Sequence, residues 1–324
     1  MSRPRTPTVP VIPSRLPRTV MLDTCTLQTV STQSELREWF AQWLEAQDLT
    51  CYLAETSLVE VAGKNEQGVA ERLNGLRALR KQAGGRLRGA ASFDDTVRAQ
   101  LQQRRPGPVE VPPGPSLFEW MTGFDDRQFP TVFARASFIA NYVARKKDTL
   151  FEMDRNLRDH VRRLRQEFPE DEREISAEYA VSEIKGRRRL GVGDLMIDTA
   201  AERLLEGRMT PKQVEERLSQ CPVLNCAAHL VWRANLANAA PPAEQLTTTQ
   251  NSVIGLFRTK SARKGGRGDW YDYLTAATAA ACTMFITGDD NLFRRCEYIR
   301  DLGVSGIRAY AAKALIEGYS SGSA

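Results

Sequence analysis

The stretch from Thr19 to Val30, "TVMLDTCTLQTV", sets a short apolar, β-branched run against a carboxylate, Asp23. Such a run reads as a buried strand whose carboxyl end carries an acid. A carboxylate near an interior must be paired, hydrogen-bonded or bound to a cation, because an isolated one is too costly to keep ionised there. The pattern returns near the other end of the chain. In "FITGDDNLF", Phe285 to Phe293, a strand-like run is followed by the adjacent acids Asp289 and Asp290, with Arg294 and Arg295 beyond them.

Outward from Thr19 the sequence alternates. "SELREWFAQWLEAQ" (34–47) has apolar positions at Leu36, Trp39, Phe40, Trp43 and Leu44, the spacing of an amphipathic helix with Ser34 as N-cap. "LTCYLAE" (49–55) reads as a second strand, and "TSLVEVAG" (56–63) as a helix starting at Leu58 and capped by Thr56 or Ser57. Near the carboxyl end, "DWYDYLTAATAAACTMFITGDD" is a small-residue helix feeding a strand. "NLFRRCEYIRDLG" is a helix with a Gly stop, and "VSGIRAYAAKALIEG" a last strand running into a terminal helix. Alternating β and α predicts a parallel sheet with crossover helices, built from the two ends of the chain. The expected organisation is an α/β domain from 19–63 and 250–324, interrupted by a large, mostly helical insertion from 64 to 249.

The insertion is rich in Arg, Glu, Leu and Ala at helical spacing, as in "GVAERLNGLRALRKQ" (68–82), the stretch 133–168 and "MIDTAAERLLEG" (196–207). Loops are expected at "RRPGPVEVPPGPS" and "NAAPPAEQLT". The many charges between Arg145 and Arg189 are of both signs, which reads as a solvated helix face.

With 324 residues, 42% of them hydrophobic and 26% charged, the chain has the composition of a globular protein. No run of about eighteen apolar residues is present to span a bilayer. The first twenty residues hold four Arg, five Pro and no acid, and lack an apolar signal region, so residues 1–18 read as a flexible basic arm of a cytoplasmic protein. The six Cys contain no CxxC, and Cys221 and Cys226 lack partners at zinc-ligand spacing, which points to reduced, packed thiols. His160 and His229 are the only histidines, so chemistry must rest on carboxylates. The net charge of +5 permits an anionic partner.

In an open parallel sheet, ligands bind outside the carboxyl ends of the strands. Asp23 and Asp289 both follow strands there. Glu60 lies one turn into the helix after the second strand, and Asp272 opens the helix before "FIT". Four crowded carboxylates repel unless divalent cations draw them together, and hard oxygen ligands suit Mg²⁺ or Mn²⁺. Two such ions support in-line phosphodiester hydrolysis without a histidine.

"VMLDTCTL", "TSLVEVAG", "DYLTAATAAACTMFITGD" and "GIRAYAAKALIE" resemble, in order and spacing, the successive motifs of PIN-domain nucleases. The resemblance covers roughly residues 18–63 and 250–318. It implies a three-layer α/β/α sandwich with a short central parallel sheet, and divalent-metal-dependent cleavage of RNA or other single-stranded nucleic acid. It carries the family's acids onto Asp23, onto Glu60 in a "(S/T)xxxE" setting, onto Asp272 in "DxxxAAxA" and onto Asp289 in "TxD". These four are the candidate catalytic, metal-ligating residues, with Thr24 and Thr287 in support. Asp269, one turn before Asp272, is a second candidate for the third role, while Asp290 could replace Asp289 and Glu55 could replace Glu60. The distance between the second and third acids exceeds what the family usually shows.

The stretch "FRTKSARKGGRG" places Arg258, Lys260, Arg263, Lys264 and Arg267 just before the third motif, as a flexible loop to hold a phosphate backbone. Trp270 and Tyr271 are candidates for base stacking or for packing. The insertion is a candidate surface for a protein partner or a second copy. Two other readings compete: a catalytically inactive fold of the same kind that binds nucleic acid or scaffolds a partner, and a haloacid-dehalogenase-like phosphatase. The second lacks the acid that its DxD motif needs, because Cys25 stands there.

Overall fold

The structure is a computed structural model, and it describes residues 18–62, 68–103, 117–135, 137–138, 141, 221–239, 244, 248–258, 269–303 and 305–320. The elements run β1 (Thr19–Leu22), α1 (Thr24–Thr32), α2 (Ser34–Ala46), β2 (Thr50–Leu53), α3 (Glu55–Ala62), α4 (Val69–Ala83), β3 (Leu87–Gly89), α5 (Phe93–Gln103) and α6 (Leu117–Thr122). They continue with α7 (Pro222–Ala239), α8 (Thr248–Phe257), α9 (Asp269–Ala279), β4 (Met284–Thr287), α10 (Asp290–Asp301), β5 (Ala309–Ala311) and α11 (Ala312–Ser320).

The strands form one five-stranded sheet in the order β3-β2-β1-β4-β5, and every neighbouring pair is parallel. The two ends of the chain meet in it as expected: Val20 stands opposite Cys51 on one side and Met284 on the other. Side chains of a strand alternate between faces, and the sheet shows this cleanly. Val20, Leu22, Cys51, Leu53, Met284 and Ile286 join one apolar cluster, which α1, α2, α4 and α6 close with Leu27, Phe40, Trp43, Leu73, Leu76 and Phe118. Met21, Tyr52 and Phe285 join a second cluster, closed by α7, α8, α9 and α10 with Leu230, Phe257, Tyr273, Ala276 and Ile299. Sheet strands buried on both faces explain why they read as unbroken apolar runs.

Four local readings change. Helix α1 follows Asp23 directly, so this residue ends a strand and caps a helix at once. Its Thr and Val content lowers helix propensity, but the Asp23 cap and the burial of Leu27 and Val30 hold it. Gln33, not Ser34, is the N-cap residue of α2. Helix α3 starts at Glu55, so Thr56 and Ser57 are inside it rather than at its cap.

The fourth change concerns the segmentation. Strand β3 comes from the stretch assigned to the helical insertion and pairs with β2. Three residues are too few to show a period, and only the burial of Leu87 and Gly89 around exposed Arg88 reveals the alternation. A Cβ on Gly89 would stand 2.7 Å from Phe118 Cβ, so the glycine is what lets α6 lie against this edge. Helix α7 also falls in the stretch 64–249 and packs on the sheet through Leu230 and Ala234. The sheet-bearing unit therefore includes 69–89 and 222–239. The helices expected across 142–168 and 196–207, and the loop at 104–116, lie outside the described residues, as does the basic arm before Arg18.

Candidate acidic site

The chain builds outward from β1 through β2 to β3 on one side, then returns to place β4 and β5 on the other. The order reverses between β1 and β4, and a crevice for ligands opens at the carboxyl ends of strands at such a switch point. Asp23 follows β1 there, and Thr287, Gly288 and Asp289 end and follow β4.

Asp23 is 3% exposed. Its backbone N–H continues the ladder to Ile286 O at 3.0 Å. One carboxylate oxygen, Oδ1, accepts the Thr26 N–H at 2.7 Å and so caps α1. The other, Oδ2, accepts the Thr287 hydroxyl at 2.6 Å and the Gly288 N–H at 2.9 Å. Three donors satisfy the buried carboxylate. Capping α1 uses only one oxygen of Asp23.

Asp289 is the N-cap of α10, its Oδ1 accepting from Asn291 N at 2.7 Å and Leu292 N at 2.9 Å. Its own N–H donates to Thr287 Oγ1 at 3.1 Å. Thr287 therefore supports both strand-end acids at once, receiving from one and donating to the other. No arginine or lysine among the described residues forms an ion pair with Asp23 or Asp289.

The other two acids come from helices. Glu60, half-buried on α3, accepts the Thr24 hydroxyl on Oε2 at 2.5 Å. Asp272 is half-buried on α9 and does not open it as expected, since the helix begins a turn earlier at Asp269. All four acids act on one atom, the sulfur of Cys25. Burial pushes this thiol up from 9.0 to about 11, and the charges of Asp23, Asp272, Glu60 and Asp289 add to the rise in that order. Cys25 still reaches solvent, whereas the other five cysteines are buried. The four sequence-predicted acids thus lie within electrostatic reach of one sulfur. Among the described residues, no three His, Cys, Asp or Glu side chains stand close enough to hold a metal ion as they are.

The remaining candidates divide. Asp290 is exposed as the first residue of α10, and Glu55 is exposed at the start of α3. Arg258 is half-buried and donates from Nε to the Ala237 carbonyl at 3.4 Å, toward the end of α7. Lys260, Arg263, Lys264 and Arg267 lie outside the described residues, as do the side chains of Asp269 and Trp270 and all of His160. Tyr271 is 4% exposed, so it packs rather than offering a face for a base. Burial first, and then the Glu60 charge, raises its phenol well above the ordinary range. Arg294 is exposed, but Arg295 is 5% exposed, donates from Nε to Leu256 O at 2.8 Å, and lies 5.5 Å over the Tyr273 ring. Arg295 is therefore a packing residue of the helical layer.

Sequence reasoning missed Cys25 as the residue that the acids enclose, although its place two after Asp23 was noticed for another reason. Thr56 entered only as a possible helix cap and as the first residue of "(S/T)xxxE", and its pairing with Thr275 was missed: the two hydroxyls meet at 2.6 Å between α3 and α9. No signal along the chain marks two threonines 219 residues apart as partners. Scanned against protein-family models, curated proteins and solved structures, the chain finds no match in any of the three.

Proposed function

We propose that this protein is a divalent-metal-dependent nuclease of the PIN-like kind, an α/β/α sandwich that cuts RNA or another single-stranded nucleic acid. One observation carries the reading: Asp23 and Asp289 follow the adjacent strands β1 and β4 at the switch point, and the charges of both, with those of Glu60 and Asp272, bear on the Cys25 sulfur. A nucleic-acid substrate matches the basic stretch 258–267 that leads into α9.

The donor set fits Mg²⁺ or Mn²⁺ in kind, because all four ligands offered are carboxylates. Asp289 uses Oδ1 for the helix cap, which leaves Oδ2 for a cation. Asp23, Glu60, Asp272 and Asp289 are the residues that would hold the ions. Bound there, such ions supply an activated water and stabilise charge on the leaving oxygen. The chain's own part is orientation. Thr287 and Gly288 fix the Asp23 carboxylate, Thr24 fixes Glu60, and the α10 cap fixes Asp289. With no histidine among these groups, the acids must stay ionised for the site to work.

The test uses the full chain with Mn²⁺ or Mg²⁺ on single-stranded RNA, single-stranded DNA and a small phosphomonoester. Cleavage of a single strand that is abolished by chelation, and reduced at least about a hundredfold in Asp272→Asn and in Asp289→Asn, is the expected result. Hydrolysis of the phosphomonoester alone, or wild-type cleavage by Asp289→Asn, would overturn the reading.

A further inference from the structure

Two of the four acids are fixed by main-chain geometry, and two are not. Asp23 and Asp289 leave adjacent strands whose register is set by the ladder. Glu60 and Asp272 leave separate helices, α3 and α9, and helices that pack through apolar side chains can slide or roll by small amounts. Something must set the distance between them.

The side chain of Thr56 stands one turn before Glu60 at i, i+4, on the same helix face, and that of Thr275 one turn after Asp272 at i, i+3. Their hydroxyls meet at 2.6 Å. Thr275 is 2% exposed, so its hydroxyl is held away from water and its hydrogen bond is costly to break. The faces that carry this bond are the faces that carry the acids. Two further contacts agree: Thr24 reaches Glu60 from the first turn of α1, and Tyr271 on α9 is near enough to feel the Glu60 charge. A β-branched residue has a stiff χ1, so a Thr–Thr pair ties two helices more rigidly than longer polar side chains would.

We propose that the hydroxyl–hydroxyl bond between Thr56 and Thr275 sets the separation of Glu60 and Asp272, making both threonines positioning residues of the acidic site. The inference rests on the nuclease reading and names the device that holds its two helix-borne acids. Loss of the bond removes a direct polar tie between α3 and α9 and lets the two helices shift against each other. The two acids then lose the relative placement from which they could close on a shared cation.

The experiment measures Mn²⁺ binding by calorimetry, and thermal unfolding, for Thr56→Val, Thr275→Val, the double Val variant and the two Thr→Ser variants. A single Val leaves one hydroxyl stranded and destabilises the fold. Two Val replace both partners, which restores stability toward wild type because no buried hydroxyl is left unpaired. The expected result is that the double variant recovers its unfolding temperature but binds Mn²⁺ roughly tenfold or more weakly, the range seen when groups behind metal ligands are removed. Each Thr→Ser variant keeps wild-type affinity. A double Val variant that binds Mn²⁺ as tightly as wild type would overturn the positioning role while leaving the nuclease reading standing. Wild-type protein that binds no Mn²⁺, or binds it unchanged in Glu60→Gln and Asp272→Asn, would overturn both.

Discussion

The arrangement of four acids around Cys25 can be measured without any metal or substrate. Cys25 is exposed and the other five cysteines are buried, so a soluble aromatic disulfide reacts with it first in the folded protein. The rise from 9.0 to about 11 makes the thiolate about a hundredfold scarcer than in an ordinary cysteine at any pH below 9. A more basic thiolate is also a better nucleophile, by about 0.4–0.5 log unit per pKa unit, which returns nearly tenfold. Exchange near neutral pH should therefore run about tenfold slower than for a free thiol. Its pH profile should not level off until about pH 11. Burial is the largest cause, so no single acid-to-amide variant brings the midpoint down to 9.0. Asp272→Asn should lower it most among Asp272→Asn, Glu60→Gln and Asp289→Asn, with Glu60→Gln next, following the order in which their charges contribute. Asp290→Asn and Glu55→Gln should leave it in place, since neither charge contributes. A midpoint at or below 9, or an Asp290→Asn shift as large as that of Asp272→Asn, would show that the acids do not enclose this sulfur.

Two other expectations concern the scaffold. A Cβ on Gly75 of α4 would stand 2.5 Å from Ser31 O, so Gly75→Ala must push α1 and α4 apart. Urea unfolding should show it less stable by about 1–3 kcal/mol, and an unchanged midpoint would show that the two helices do not approach this closely. The second expectation is a loss of stability in alkali. Burial raises the thiols of Cys226 and Cys282 to about 12, against 9.0 for an unperturbed thiol, so the folded state keeps protons that the unfolded chain loses. The stabilisation is complete below pH 9 and is lost as pH rises toward 12, at about 1.4 kcal/mol per pH unit for each such thiol. Urea midpoints from about pH 8 to about pH 10 should fall accordingly, and replacing Cys226 and Cys282 together by Ala should flatten the decline.

Much of the sheet was legible because its strands are buried on both faces. "TVML", "TCYL" and "MFIT" are unbroken apolar runs at the ends of which an acid or a polar turn stands, so period and punctuation agree. The small-residue helix α9 and the Gly stop after α10 were legible for the same reason, with Gly303 at φ 70° where a side chain would be strained. Strand β3 was not legible, since three residues, the last of them a glycine, carry no period. Helix α1 was not, since a run of threonines does not announce a helix until Asp23 is seen to cap it. Helix α7 fell in the stretch assigned to an insertion, because composition favouring helices does not state what a helix packs against.

The site divides along the same line. Asp23 and Asp289 were legible because a strand end and its acid are neighbours in sequence, and the parallel ladder between β1 and β4 does the rest. The approach of Glu60 to Asp272 depends instead on a bond between Thr56 and Thr275, an interaction with no local signature. This division has a physical consequence for substitution. Asp23 is the cap of α1, the acceptor for Thr287 and Gly288 and a candidate ligand together, so replacing it disturbs fold and site at once. Glu60 and Asp272 sit on helices and cap neither of them, so Glu60→Gln and Asp272→Asn leave the strand ends and helix caps in place. Loss of cleavage in Asp272→Asn or Glu60→Gln, in protein with a wild-type unfolding temperature, therefore speaks to chemistry, whereas the same loss in Asp23→Ala does not separate chemistry from folding.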